Sequence, residues 1–130
     1  MFTSTGFRAA SAYKNVSLET SDPYQLVNML FEGLMQAIAD ARAALKRGDV
    51  ATKCAQVSRA VRLIEEGLKP GLDIQKGGDL AANLNGLYGY CVLRLTQANL
   101  RNDDAALEDV VRVIEPLAQG WKQMGGKVAA

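Results

Sequence analysis

The feature that most constrains the fold is a three- and four-residue spacing of apolar side chains that recurs in four separate segments. Such spacing places apolar side chains on one face of a helix. The positions concerned are Leu30, Leu34, Ile38, Ala41 and Leu45; Val50, Cys54, Val57, Val61, Ile64 and Leu68; Leu80, Leu84, Leu87, Cys91, Leu95 and Ala98; and Leu107, Val110, Ile114, Leu117, Trp121 and Met124. No segment alternates as a strand would, so the pattern predicts an all-α protein, an antiparallel up-and-down four-helix bundle.

Helix-starting and helix-ending residues separate these segments. Asp22 can cap the first helix, and Pro23 suits its first turn. The other boundaries are predicted at Gly48-Asp49, at Pro70-Gly71 and at Asn102-Asp103. The stretch KPGLDIQKGGD is then the one long connection.

A chain of 130 residues suffices for one such core. We expect three parts: an N-terminal segment, residues 1–21, docked on the bundle; the bundle itself, residues 22–124; and a frayed C-terminus, residues 125–130.

Composition excludes several classes of function. The chain has no histidine, which removes the usual ligand or nucleophile of di-iron, haem and phosphorelay bundles and the general base of Ser-His or Cys-His enzymes. We therefore expect no catalysis, no metal and no cofactor. The net charge of +1, with basic residues scattered, gives no reason to expect nucleic-acid binding. No apolar run is long enough for a membrane span or a signal peptide, which favours a cytoplasmic protein.

The third helix carries a second row opposite its core face. Gly86, Gly89, Leu93 and Leu100 share one side of that helix, and Tyr90 borders them. Glycines let another backbone approach closely, and the leucines offer apolar anchors, so the row could form a shallow groove for an added helix. The alternative is that the glycines are tolerated and the leucines merely exposed.

The first helix is apolar around more of its circumference than one core face needs. From Leu26 to Ile38 the apolar side chains spread over roughly 240°, against the usual stripe of about 100°. Either this half is central and covered by the N-terminal segment, or Met29, Phe31 and Met35 serve partner binding. The N-terminal segment could be a lid anchored by Tyr13, or an unstructured tail.

The stretch LNGLYGYCVLRLTQANLRND contains the pattern LYxYxxxRLxxAN. In the first part of the chain, the spacings Y-x-x-V, T-x-x-P-x-x-L and M-L-x-x-G are formed by Tyr13, Val16, Thr20, Pro23, Leu26, Met29, Leu30 and Gly33. In these residues the sequence resembles the flagellar secretion chaperone FliS family over nearly its whole length, and the first stretch is the most specific. Asp22 stands where serine is usual, and Phe31 where tyrosine is usual.

The resemblance implies a chaperone that binds the disordered C-terminal segment of flagellin in the cytosol and blocks premature polymerisation before type III export. Further partners implied are export gate components and a co-chaperone, and exposed apolar rows also allow a weak homodimer. The partner-binding residues that we predict are Tyr13, Val16, Met29, Phe31, Met35, Gly86, Gly89, Tyr90, Leu93, Arg94 and Leu100. The alternative function is a regulatory adaptor bundle that binds a folded protein.

Overall fold

A computed structural model describes residues 23–72 and 74–129, with side chains described outside 74–76 and 125–129. Its helices are α1 (Pro23–Lys46), α2 (Val50–Arg62), α3 (Ile74–Arg101) and α4 (Asp104–Ala129), and a π-helical segment (Leu63–Leu68) prolongs α2. Each helix packs on its neighbours in sequence, and α4 packs back on α1. These ranges contain no strand, and the predicted helical bundle is confirmed.

The short connections end and begin helices as their residues predict. Gly48 has a φ of +76°, the left-handed conformation that ends α1. Asp49 Oδ1 accepts a hydrogen bond from the Thr52 backbone N–H at 3.1 Å and so caps α2. Between α3 and α4, Asn102 has a φ of +52°, and Asp103 Oδ1 accepts from the Ala105 N–H at 3.0 Å. Two-residue turns of this kind force antiparallel neighbours.

The core runs along the centre of all the helices. It contains Leu30, Phe31, Leu34, Ala37, Ile38, Ala41, Val57, Ala60, Leu63, Ile64, Leu68, Tyr88, Cys91, Leu95, Ala98, Ala106, Leu107, Val110 and Ile114. Burial of each large aliphatic side chain contributes about 1.5–3 kcal/mol. Burial also raises the pKa of the Cys91 thiol to about 12, so this thiol is protonated at neutral pH, whereas Cys54 is only partly buried.

The π-helical segment after α2 packs unusually close to α1. Gly67 faces Leu30, and a Cβ atom at position 67 would lie only 2.8 Å from Leu30 Cδ2. A larger residue at position 67 would therefore force the Leu30 side chain to shift, whereas glycine fits without a shift. The Lys69 N–H then donates to the Ile64 carbonyl oxygen at 2.9 Å, and the helix ends before Pro70-Gly71, as predicted.

An aromatic clasp joins the start of α1 to the end of α4. The rings of Tyr24 and Trp121 stack with centroids 5.5 Å apart. Trp121 Nε1 donates to the Tyr24 carbonyl oxygen at 3.0 Å, and the Tyr24 hydroxyl donates to the Lys122 carbonyl oxygen at 3.1 Å. The clasp fixes the position at which residues 1–22, which lie outside the described residues, join the bundle. Asp22 is one of them, so its predicted capping role stays a prediction.

Four predicted core positions and one predicted connection were wrong. Val50, Leu80, Leu87 and Met124 are exposed rather than buried. In α3 the buried residues are instead Ala81 and Tyr88, each one position later and therefore about 100° further around the helix. The connection before α3 is also shorter than predicted, because helix resumes at Ile74 and is interrupted only at Gly78. The helix α4 continues to Ala129, and the fraying of residues 125–130 stays a prediction.

Candidate functional site

An apolar groove lies between α2 and α3. Its volume is about 400 Å³. The lining residues are Cys54, Val57, Ser58, Val61, Arg62, Thr96, Asn99 and Leu100. The floor is aliphatic, hydroxyl groups border it, and Arg62 is the one charged residue in this lining. Such a surface suits an amphipathic helix better than a small polar molecule.

The predicted glycine and leucine row of α3 continues this groove along the outside of the bundle. Leu93 is 53% exposed and Leu100 is 78% exposed. A Cβ atom added at Gly86 or Gly89 would meet nothing within 4 Å. Since Leu100 lines the groove and Leu93 lies two helical turns before it, the row and the groove form one surface. Below we call these residues, together with the groove lining, the α2–α3 surface.

A buried lysine holds the two walls of this surface together. The Lys53 ammonium is 0% exposed, and it donates to the Asn99 carbonyl oxygen at 2.9 Å and to Asn99 Oδ1 at 3.0 Å. Asn99 lies in the last turn of α3, where carbonyl oxygens lack helical partners. Lys53 therefore caps α3 from α2. Sequence reasoning missed it, because lysine at an apolar position is normally read as exposed.

Tyr90 and Arg94 lie on the α4 side of α3 rather than on the α2–α3 surface. Arg94 Nε donates to Asp109 Oδ2 at 2.9 Å, and the Tyr90 hydroxyl donates to the same carboxylate. The hydrogen bond from Tyr90 and the Arg94 cation hold the pKa of Asp109 below its ordinary value. Arg94 also donates to Gln97 Oε1 at 2.7 Å. These contacts tie α3 to α4, and partner binding by the two residues stays a prediction.

A second groove lies between α1 and α4. Its volume is about 460 Å³. The lining residues are Asn28, Phe31, Glu32, Met35, Gln36, Ala39, Glu115, Ala118, Gln119 and Lys122. Phe31 is only 3% exposed, so its ring forms the floor and belongs mostly to the core. Lys122 Nζ approaches Glu32 Oε2 across the groove at 3.9 Å. This groove is more polar and carries two carboxylates.

The structure thus distributes the predicted binding residues over separate faces. The α1–α4 and α2–α3 grooves lie on opposite sides of the bundle, because the helices pack in the order of the chain and close between α4 and α1. Met35 and Phe31 line the α1–α4 groove, whereas Met29 is partly buried and lines neither groove. Tyr13 and Val16 lie outside the described residues.

The described residues offer grooves rather than reactive groups. Among them, no group of three His, Cys, Asp or Glu side chains could hold a metal ion. None of the helices they form is long and apolar enough to cross a membrane. The adjacent Glu65 and Glu66 are not buried, and Glu65 pairs with Lys69 at 3.1 Å. Fold and grooves together define a small helical bundle with extended surfaces for a protein partner.

Comparison with known proteins places the chain among the flagellar proteins. A family model described as "Flagellar protein FliS" matches residues 6–128. The flagellar secretion chaperone FliS of Salmonella typhimurium is 44% identical over 99% of this chain and 96% of its own length. That of Escherichia coli is 36% identical over 89% of this chain and 88% of its own. The Pseudomonas aeruginosa chaperone FliSB is 34% identical, with 88% and 93% covered. The chain belongs to the FliS family of flagellar secretion chaperones.

Proposed function

We propose that this protein is a cytosolic export chaperone that binds the disordered C-terminal segment of flagellin. The observation that carries the proposal is the exposed glycine and leucine row beside the α2–α3 groove, in a chain of the FliS family. Occupying the segment blocks premature polymerisation and keeps flagellin competent for type III secretion. The chaperone needs no nucleotide or cofactor for this.

The physical mechanism is coupled folding and binding. A disordered segment spends about 2–5 kcal/mol on becoming ordered when it binds. Burial of Leu93 and Leu100 against the segment would offset that cost, at about 1.5–3 kcal/mol for each side chain fully covered. At Gly86 and Gly89 the helix of the segment can approach the α3 backbone directly.

The α1–α4 groove is a second binding site for the same segment of flagellin. A long segment that becomes ordered only on binding can wrap a small protein and use surfaces on opposite sides of it. Met35 can adapt its side chain to different neighbours, and the amide side chains of Gln36 and Gln119 can hydrogen-bond extended backbone. Polar lining of this kind suits an extended stretch, and the apolar α2–α3 surface suits a helical one.

The N-terminal segment covers part of the flagellin-binding surface when flagellin is absent. Its apolar residues include Tyr13 and Val16, and large exposed apolar patches otherwise favour association between copies of a protein. Flagellin would displace this lid, after which the complex passes to export gate components or a co-chaperone.

Isothermal titration calorimetry tests the proposed function. The protein is titrated with full-length flagellin of the same organism and with flagellin that lacks its C-terminal segment. One-to-one binding to the first and none to the second is expected. Equal binding to both forms would move the site away from the C-terminal segment. Absence of heat with either form, together with binding to a folded partner, would instead indicate an adaptor bundle.

A further inference from the structure

Arg62 is a cation at the rim of an apolar groove, and it has no ion-pair partner among the described residues. It is exposed, and it is the one charged residue that lines the α2–α3 groove. Other arginines that reach between elements have a carboxylate partner: Arg42 pairs with Asp104 and Arg94 with Asp109, each at 2.9 Å. Within the described part of the chain, no carboxylate lies within 4.0 Å of the Arg62 guanidinium. Its donors are therefore available to a ligand.

The position of Arg62 along the groove relates it to the glycines of α3. Lys53 lies level with Asn99, and Arg62 follows Lys53 by nine residues, which is roughly 13 Å along a helix axis. Because α2 and α3 run antiparallel, Arg62 lies level with the part of α3 around Gly89. A Cβ atom at Gly89 would meet nothing within 4 Å, so a bound helix can come closest to the bundle here.

An arginine in this position recognises a carboxylate. The planar guanidinium presents several N–H donors that match both oxygens of a carboxylate group. A helix seated on the aliphatic floor formed by Val57 and Val61 would exclude water from one side of the pair. The lower local dielectric strengthens the attraction compared with a fully solvated pair.

We propose that Arg62 binds a carboxylate of the helical segment that occupies the α2–α3 surface. This inference rests on the proposed function, in which the segment belongs to the C-terminal region of flagellin. The carboxylate is either an Asp or Glu side chain beside the apolar stripe of the segment, or the terminal carboxylate of its chain. Both sources present the same chemistry to the guanidinium.

Charge then decides which part of the segment lies on which side of the bundle. The α1–α4 groove holds Glu32 and Glu115 with Lys122 as its one lining cation, so an acidic residue is disfavoured there. The α2–α3 groove carries only the cation Arg62. Opposite charge on opposite faces disfavours a reversed placement of the segment.

The test is titration of the Arg62→Gln variant with full-length flagellin at low ionic strength. We expect binding about three- to tenfold weaker than wild type, with the loss shrinking in 0.5 M salt because screening weakens the pair. Arg62→Lys keeps the positive charge but lacks the planar guanidinium, so its affinity for flagellin should lie between those of the wild type and Arg62→Gln. The matched control is Arg101→Gln, which removes an exposed arginine outside the groove lining and should bind as wild type does.

A second arm separates the two sources of the carboxylate. A synthetic peptide of the flagellin C-terminal segment is titrated with a free and with an amidated terminus. If amidation and Arg62→Gln each reduce the affinity by the same factor, and the two together reduce it no further, the terminal carboxylate is the ligand. If Arg62→Gln reduces the affinity and amidation does not, the ligand is an acidic side chain.

The possible failures are distinguishable. Wild-type affinity in Arg62→Gln, with an unchanged circular-dichroism melting curve, overturns the inference and leaves the proposed function standing. Failure of the wild-type protein to bind flagellin overturns the proposed function, and the role of Arg62 with it.

Discussion

Lys53 on α2 donates two hydrogen bonds to Asn99 on α3, one to its backbone oxygen and one to its side-chain oxygen, at 2.9 and 3.0 Å. Both groups lie at the end of the α2–α3 groove, and Asn99 is one of its lining residues. This contact affects both the stability of the bundle and the shape of the groove, because it caps α3 and holds the groove walls at a fixed separation.

Replacing Lys53 with methionine should therefore destabilise the bundle. Methionine is similar in volume, but it leaves the Asn99 oxygens without their donor, and we expect a loss of about 1–3 kcal/mol in the free energy of unfolding. Urea denaturation followed by circular dichroism measures it. Lys46→Met, at an exposed lysine of α1, is the control and should change stability by less than about 0.5 kcal/mol. Equal stability of the two variants would contradict the role given to Lys53.

Gly89→Leu should weaken flagellin binding and leave the melting temperature near that of wild type. A side chain at this position meets no other atom of the bundle, so the leucine is accommodated. The leucine would, however, occupy the space in which a bound helix approaches. Calorimetry and a thermal melt measure the two effects. Gly120→Leu makes the same change at an exposed, unobstructed glycine of α4 and should keep wild-type affinity. Unchanged affinity in Gly89→Leu would remove the glycine row from the binding surface.

Cys54 should report on occupancy of the α2–α3 groove. It lines the groove and is only partly buried, whereas Cys91 is fully buried, with its thiol pKa raised to about 12 by burial. A maleimide reagent should therefore modify Cys54 first, and flagellin should slow that reaction.

Mass spectrometry of a labelling time course measures this difference. A Cys54→Ser variant, which keeps only Cys91, should label slowly with or without flagellin. Rapid labelling of Cys91 in the native protein, or no protection of Cys54 by flagellin, would count against this geometry.

The Arg42–Asp104 ion pair should make part of the stability depend on pH. The Arg42 side chain bonds Asp104 and lowers the pKa of its carboxyl below the ordinary value of 3.8. A carboxyl whose pKa is lower in the folded state stabilises the fold above its unfolded pKa, and that contribution is lost as the pH falls through the folded value.

Asp104→Asn should thus lower the melting temperature by about 2 °C at pH 7, since the pair is partly exposed. The difference in melting temperature between Asp104→Asn and the wild type should shrink toward zero as the pH falls below 3.8. Thermal melts from pH 2 to 7 measure it, with Glu115→Gln as a control outside any ion pair of the described residues. A difference that does not change with pH would mean that charge is not the cause.

Deletion of residues 1–17 should increase the binding of an apolar fluorescent dye. Removing the lid exposes apolar surface to which such a dye binds. Dye fluorescence of the truncated and full-length proteins is compared at equal concentration. Addition of flagellin should reduce the signal of the truncated protein, whereas equal fluorescence of the two proteins would refute the lid.

Local sequence rules determined the elements of this fold. Gly48 and Asp49 end one helix and begin the next through interactions that reach no further than five residues along the chain. The same holds for Asn102 and Asp103. The exposed row on α3 was also readable, because Leu93 and Leu100 must share a side of any helix that contains both.

Only the tertiary structure decided where the buried face of α3 lies and that Lys53 is buried. Leu80 and Leu87 have helical spacing as regular as that of the buried Leu95, yet α3 turns Ala81 and Tyr88 inward instead. Lys53 is buried because α3 ends beside it with carbonyl oxygens that need a donor. Periodicity shows which residues lie on one side of a helix, whereas burial depends on where the other helices pack, and those contacts join residues far apart in the chain.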